Sequence, residues 1–233
     1  MAEKDNSFVI SVIQTQRKGS DRTKLEAIVD SRLHIVDLDV TDVASINAAA
    51  DEVGRVTGNC LHALINNSGV LEAYPINAQP DFASLRHQFD VNTLGPVAVT
   101  QGFLPLLKQY AEYANHSIIF NISSGLGSIF RCPGSTEHHC VTYQMSKAAL
   151  NLFTKCLGKD FEAEKLDIIA VAITPGWVKT DMTSKGSHGN DDKPAPGQFT
   201  VEESASNLME SFDRLTMEHN GGFFGKDLVP IPF

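Results

Sequence analysis

Two rhythms of apolar residues alternate along the chain. Short, nearly continuous runs occur at 8–13 (FVISVI), 33–38 (LHIVDL), 61–65 (LHALI), 117–122 (SIIFNI) and 166–173 (LDIIAVAI). Their length and density predict buried strands. Stretches with helical spacing lie between them. Leu25, Ile28 and Val29 share one face of a helix over 21–29. Val43, Ile46, Ala50 and Val53 form the stripe of a helix over 42–55, with Thr41 as its expected cap. Further helices are predicted over 82–89, 95–113, 143–163 and 201–217, and a short last strand over 221–224.

Strands alternating with helices predict α/β architecture: βαβ units, a parallel sheet and helices on both faces. No internal repeat or linker divides the sequence, so residues 1–233 are expected to form a single domain. Residues 125–140 read as a long polar loop. Residues 183–198, rich in Gly, Pro and charge, read as a mobile loop on the substrate side. Ligands of such sheets bind at the carboxyl ends of the strands. The loops after Ile65, Ile122 and Ile173 are therefore where chemistry is expected, and each carries unusual polar residues.

Composition narrows the function. Nineteen Lys and Arg against 28 Asp and Glu give a net charge of −9, which argues against nucleic acid or an anionic membrane as partner. The hydrophobic fraction is 42%, but no run reaches the roughly 18 apolar residues of a membrane helix. The charged, polar start MAEKDNS is unlike a secretory leader. A cytoplasmic protein with a small-molecule substrate is expected. The four cysteines form no CxxC pair and read as free thiols.

Tyr143 and Lys147, four apart, project from one face of a helix. An ammonium beside a phenol favours phenolate, so such a Tyr would exchange a proton with a carbonyl or alcohol oxygen near neutrality. Ser123 and Ser124 follow the fourth strand and offer a hydroxyl to a substrate oxygen. Asn66-Asn67-Ser68-Gly69 ends the third strand with a tight turn and free backbone donors. Pro175-Gly176 makes a sharp exit from the fifth strand, and Thr180 stands where it would donate to an amide or phosphate. His138, His139, Cys132 and Cys140 are of zinc-ligand type, but the adjacent histidines do not match a usual ligand spacing. The segment is read as a polar substrate-side loop with no metal, and an extra acid or base at His138 or His139 stays open.

Taken together, Leu38-Asp39-Val40-Thr41-Asp42, Asn66-Asn67-Ser68-Gly69, Asp90-Val91-Asn92, Asn121-Ile122-Ser123-Ser124-Gly125, Tyr143-Gln144-Met145-Ser146-Lys147 and Pro175-Gly176-Trp177-Val178-Lys179-Thr180-Asp181 are more specific than any part. In this order the chain resembles the short-chain dehydrogenase/reductase family, in its small carbonyl-reductase branch that includes C-factor and sniffer. The resemblance covers about 8–233 and implies a Rossmann-like three-layer αβα sandwich with a mostly parallel sheet. It implies hydride transfer between a nicotinamide and a carbonyl/alcohol pair. Tyr143 would be the acid/base and Lys147 would lower its pKa and hold the nicotinamide ribose. Ser124 would orient the substrate oxygen, and Asn92 would support Lys147 through a water relay. Asp39 and Val40 would flank the adenine; Asn66, Ser68 and Gly69 would line the cofactor. Pro175, Gly176, Val178 and Thr180 would sit at the nicotinamide. Arg17 stands where a basic residue selects the 2′-phosphate of NADP. The two long helices imply a homo-oligomer, a dimer or tetramer.

One departure matters. Family members usually open with a strand and a glycine-rich turn that cradles the cofactor diphosphate. Here the 8–13 run aligns with the family's second strand, so the first β–α unit is missing. A gap in the sheet is expected, or else the 8–13 strand takes the central place, and phosphate binding should weaken. Three readings follow: an NADP-dependent carbonyl reductase or alcohol dehydrogenase; a cofactor-independent isomerase, cyclase or dehydratase using the same Tyr/Ser/Lys set, plausible in secondary metabolism; and a non-catalytic dimerising relative.

Overall fold

A computed structural model of the chain describes residues 10–14, 30, 32–73, 77–79, 81–113, 116–133, 140–184 and 194–233. Among them the elements run β1 (Ile10–Gln14), β2 (Leu33–Asp37), α1 (Val43–Thr57), β3 (Ala63–Asn66), α2 (Phe82–Phe89), α3 (Gly95–Tyr113), β4 (Ser117–Ile122), α4 (Val141–Glu164), β5 (Ile168–Ile173), α5 (Asp181–Ser184), α6 (Val201–Asp213) and β6 (Gly222–Phe224). The helix expected over 21–29, His138, His139, Arg17 and part of the 183–198 loop lie outside the described residues.

Strand pairing is parallel throughout, but it forms two blocks, β1–β2 and β3–β4–β5–β6. The first described strand pairs with β2, Ile10 opposite Leu33 and Gln14 opposite Asp37. No described pairing joins it to β3, so of the two expectations it is the gap in the sheet, and not a central first strand, that the described residues show. The open edge shows in the side chains: Ile65 of β3 is 50% exposed, whereas all six residues of β5 are buried.

The αβα layering follows from where alternate residues of β4 and β5 point. Ile119, Ile168 and Ala170 pack with Val53 of α1, Phe103 and Leu107 of α3 and Phe161 of α4. Ile118, Phe120, Ile169 and Val171 face the other way, onto Leu215, Phe224 and Leu208 and Phe212 of α6. Covered on both faces, these strands read as unbroken apolar runs. Burying each such side chain contributes about 1.5–3 kcal/mol, and truncating fully buried Phe103 to Ala is expected to cost about 3–5 kcal/mol.

Helix ends differ from the sequence reading in small, explicable ways. Asp42, not Thr41, caps α1, its carboxylate accepting from the Ala44 N–H at 3.0 Å. Thr41 instead donates its hydroxyl to Asp39 at 2.7 Å. The helix expected to run to 217 stops at Asp213, while its start is fixed by a Thr200–Glu203 capping box. Between α2 and α3 the chain continues through a π-helical turn, Asp90–Leu94. Such one-turn widenings re-aim side chains, and here the turn carries fully buried Asn92.

Register sets the carboxyl ends level, with Asn66 opposite Asn121 and Ile122 opposite Ile173. A buried polar ladder ties them to both long helices. Asn66 Nδ2 donates to Asn121 Oδ1 at 2.8 Å and to Thr100 Oγ1 at 3.2 Å, and Asn121 Nδ2 donates to Thr154 Oγ1 at 2.9 Å. Each rung satisfies groups that would otherwise be buried without partners, a cost of about 1–3 kcal/mol apiece.

Candidate active site

A cavity of about 1670 Å³ opens along the carboxyl ends of β3, β4 and β5. The turns that follow these strands form its walls, and Tyr143 and Lys147 of α4 enter from below. Ser68, Gly69, Ser124, Pro175, Gly176, Val178 and Thr180 all line it, so residues scattered over more than a hundred positions converge on one space.

Tyr143 and Lys147 occupy successive turns of α4 and are 8% and 3% exposed. Lys147 Nζ lies 5.9 Å from the Tyr143 ring centroid and donates to the Ile122 carbonyl at 2.7 Å. The electrostatics differ from the sequence expectation. Burial pushes the Tyr143 phenol above its usual range, with a hydrogen bond to Ser124 pulling it part of the way back. Burial also pushes the Lys147 ammonium down to about 8. Desolvation is the first cause of both shifts, because both groups are buried and the lysine's hydrogen bond is to a main-chain carbonyl. The group poised near neutrality is therefore Lys147, while Tyr143 is held as a protonated donor.

Ser124 N-caps a 3-10 turn, Gly125–Gly127, its Oγ accepting from the Leu126 N–H at 3.2 Å. That turn lies against α4: a side chain at Gly127 would meet Lys147 Cβ at 2.9 Å. A glycine is required there by this close approach.

The side chain of Asn92 is fully engaged. Its Oδ1 accepts from the Val70 N–H at 2.8 Å, and its Nδ2 donates to the Val70 carbonyl and to Ser146 Oγ at 2.8 and 3.0 Å. It clasps the loop after β3 to α4, and none of these side-chain bonds reaches Lys147. Gly69 sits between them; a Cβ there would lie 3.5 Å from Asn92 Oδ1 and 3.7 Å from Lys147 Nζ. Asn66 reaches the cavity wall, but its amide nitrogen is engaged in the ladder. Asp39 turns to the Thr41 N–H and hydroxyl, which hold its carboxyl below the usual range, and it is Leu38 and Val40 that line the cavity. Val40 is itself largely buried, packed under Gly95. Thr180 bonds through its N–H to Thr183 Oγ1 at 3.0 Å, fixing the exit from β5.

Asn151 is a residue to which the sequence reading assigned no role. It lies one turn beyond Lys147 on α4 and is 1% exposed. Its Oδ1 accepts from Ser123 Oγ at 2.5 Å and its Nδ2 donates to the Gly127 carbonyl at 3.1 Å. It pins both sides of the turn that presents Ser124. The spacing Tyr143, Lys147, Asn151 was the available signal.

Comparison with known proteins shows the family and the fold. The family model for short chain dehydrogenase matches residues 1–191. An uncharacterized oxidoreductase of Schizosaccharomyces pombe is 34% identical over 234 residues, covering 95% of this chain and 87% of the relative. Among solved structures, NADPH-bound carbonyl reductase from chicken fatty liver superposes with a TM-score of 0.84 at 33% identity, over 96% of this chain and 87% of that one. The carbonyl reductase Sniffer of D. melanogaster gives 0.81 at 28% identity, over 95% and 87%.

Proposed function

The chain belongs to the short-chain dehydrogenase family and is an oxidoreductase of that type, and from that premise we propose that it interconverts a small carbonyl compound and its alcohol with NADP. The observation that carries this reading is the convergence of the Tyr143 and Ser124 hydroxyls and the Lys147 ammonium on one cavity. The cavity fits a dinucleotide. It exceeds the roughly 300–1,000 Å³ of ordinary ligand pockets, and Gly69 leaves open a space that a side chain would fill beside Lys147. Ser68, Gly69, Val178 and Thr180 would hold the cofactor along the strand ends, with Lys147 at its ribose. Bound NADPH supplies the hydride.

The chain's own residues handle the oxygen and the proton. Ser124 donates a hydrogen bond to the carbonyl oxygen and orients it. Tyr143, kept protonated by burial, gives its proton to that oxygen as negative charge develops there. Lys147 stabilises the phenolate left behind. Asn92 and Asn151 keep the two sides of the site in register. Exposed Met145 and Leu152 on α4 support assembly into a dimer or tetramer through the long helices. No helix among the described residues is long and apolar enough to cross a membrane.

The test is a titration with NADPH and NADH, followed by nicotinamide fluorescence and melting temperature, and then a carbonyl screen read by nicotinamide absorbance. Saturable NADPH binding and turnover are expected, with Tyr143→Phe lowering kcat by about 10²–10⁴-fold. A folded protein that binds no NADPH, or a Tyr143→Phe variant as fast as the parent, overturns the reading. The first outcome favours cofactor-free isomerisation, cyclisation or dehydration by the same acid–base set, or a non-catalytic role.

A further inference from the structure

Glu72 stands in the cavity wall with Leu71 and Ala73, on the loop that follows β3. It is held at two points by one face of α2. Ser84 Oγ donates to Glu72 Oε2 at 2.5 Å, and Gln88 Oε1 accepts from the Glu72 N–H at 3.2 Å. Ser84 and Gln88 are one helical turn apart. Gln88 is fully buried, so the grip on the Glu72 backbone is anchored in the protein interior. A carboxylate fixed in this way differs from a solvated surface glutamate: its position is set before any ligand arrives, so little ordering is lost on binding.

The rest of this wall mixes apolar side chains with neutral polar ones such as Asn67, Thr174 and Thr183. Leu126, Trp177, Met182 and Val201 supply apolar surface, and Trp177 is 52% exposed. Among the described lining residues the side chains of acidic or basic type are Glu72, Asp181 and Lys147, and Lys147 Nζ is bonded to the Ile122 carbonyl. An anionic substrate would meet two carboxylates here and would have to compete for the buried lysine. A substrate with an apolar body and a hydrogen-bond-donating end would satisfy both kinds of surface.

Resting on the carbonyl-reductase reading above, we propose that Glu72 is a substrate-recognition residue, and that the substrate is an apolar carbonyl compound bearing a protonated amine, taken up in preference to neutral and carboxylated analogues. The amine donates to the Glu72 carboxylate while the carbonyl lies at Ser124 and Tyr143. A charge-assisted hydrogen bond of this kind outweighs a neutral one.

The experiment uses the full chain with NADPH and four aryl ketones of one shape, carrying an aminomethyl, hydroxymethyl, methyl or carboxylate group. The expected order of kcat/KM is aminomethyl, hydroxymethyl, methyl, carboxylate, with aminomethyl at least about tenfold above methyl, mainly through KM. In Glu72→Gln the ratio of aminomethyl to methyl falls to about one, and in Glu72→Asp part of it returns. Because the order is read first on the unaltered protein, it stands even where a variant folds poorly. Turnover of the methyl ketone with no gain from the amine, or a preference for the carboxylate, overturns this inference and leaves the reductase reading intact. An amine preference that survives in a folded Glu72→Gln variant overturns the assignment to Glu72. Absence of turnover on all four ketones, and on the wider carbonyl screen, overturns the reductase reading and this inference with it.

Discussion

Replacing Asn151 by alanine removes two hydrogen bonds at once and leaves their partners stranded. Ser123, 3% exposed, loses the acceptor of its hydroxyl, and the buried Gly127 loses the donor to its carbonyl. A buried polar group left without a partner costs about 1–3 kcal/mol, so the expected loss for the two is about 2–6 kcal/mol. That is a large part of the roughly 5–15 kcal/mol that keeps a domain folded, yet within it. The catalytic consequence is separate. Ser124 sits between the two pinned points, and a displacement of about 1 Å in a positioning group lowers rate by about 10²-fold. Asn151→Asp separates the two effects. The carboxylate still accepts from Ser123 but has no proton for the Gly127 carbonyl; its protonated form does. Activity of Asn151→Asp relative to the parent is therefore expected to recover as pH falls, whereas Asn151→Ala shows no such recovery. The assay is denaturant unfolding together with kcat and KM across pH, with NADPH binding as the check that the cofactor region is intact. An alanine variant whose stability and kcat/KM both lie within twofold of the parent would refute the reasoning.

Lys147 gives a pH dependence of stability. Its ammonium falls from 10.5 to about 8 on burial, so between these values the unfolded chain carries a proton that the folded chain has released. The Lys147 contribution to stability therefore rises with pH in that window, by about 2 kcal/mol from about pH 7 to about pH 9.5, opposed in its upper part by Cys140 and above about pH 10 by Tyr143, whose burial makes both ionise first in the unfolded chain. Urea unfolding at the two values checks this, and Lys147→Met is expected to flatten the rise; an equal rise in that variant assigns it elsewhere. Gly127→Ala places a Cβ 2.9 Å from the Lys147 main-chain carbon, which cannot yield, so a loss of about 1–3 kcal/mol is expected. Gly125→Ala meets nothing within 4 Å and is expected to leave the melting temperature unchanged; equal melting temperatures for the two variants would show that the turn does not press on α4.

Much of the fold was legible because the signals are local. The run at 117–122 matches β4 to the residue, since a strand buried on both faces must be apolar at nearly every position. The spacing of Tyr143 and Lys147 placed both on one face of α4, and the helix delivers both to the cavity. Boundaries shifted where capping chemistry decided between neighbours, as with Asp42 over Thr41. Partner choice was less accessible. Asn92 bonds across 22 residues to Val70 and across 54 to Ser146, and no window of sequence shows such a clasp.

What the sequence determined by itself is the alternation of strands and helices, the parallel sheet with its site at the carboxyl ends, and the identity of the hydroxyl, phenol and ammonium that meet there. Periodicity, capping and turn residues act over a few positions, so they can be read from the order of residues. The tertiary structure alone decided that β1–β2 and β3–β6 pair as separate blocks, that Asn151 pins the Ser124 turn, that Ser84 and Gln88 hold Glu72 at the cavity wall, and that Lys147 rather than Tyr143 is poised near neutrality. These depend on contacts between segments far apart in the chain. The last depends also on how completely water is excluded, because the cost of burying a charge is set by everything packed around it and not by its neighbours in sequence.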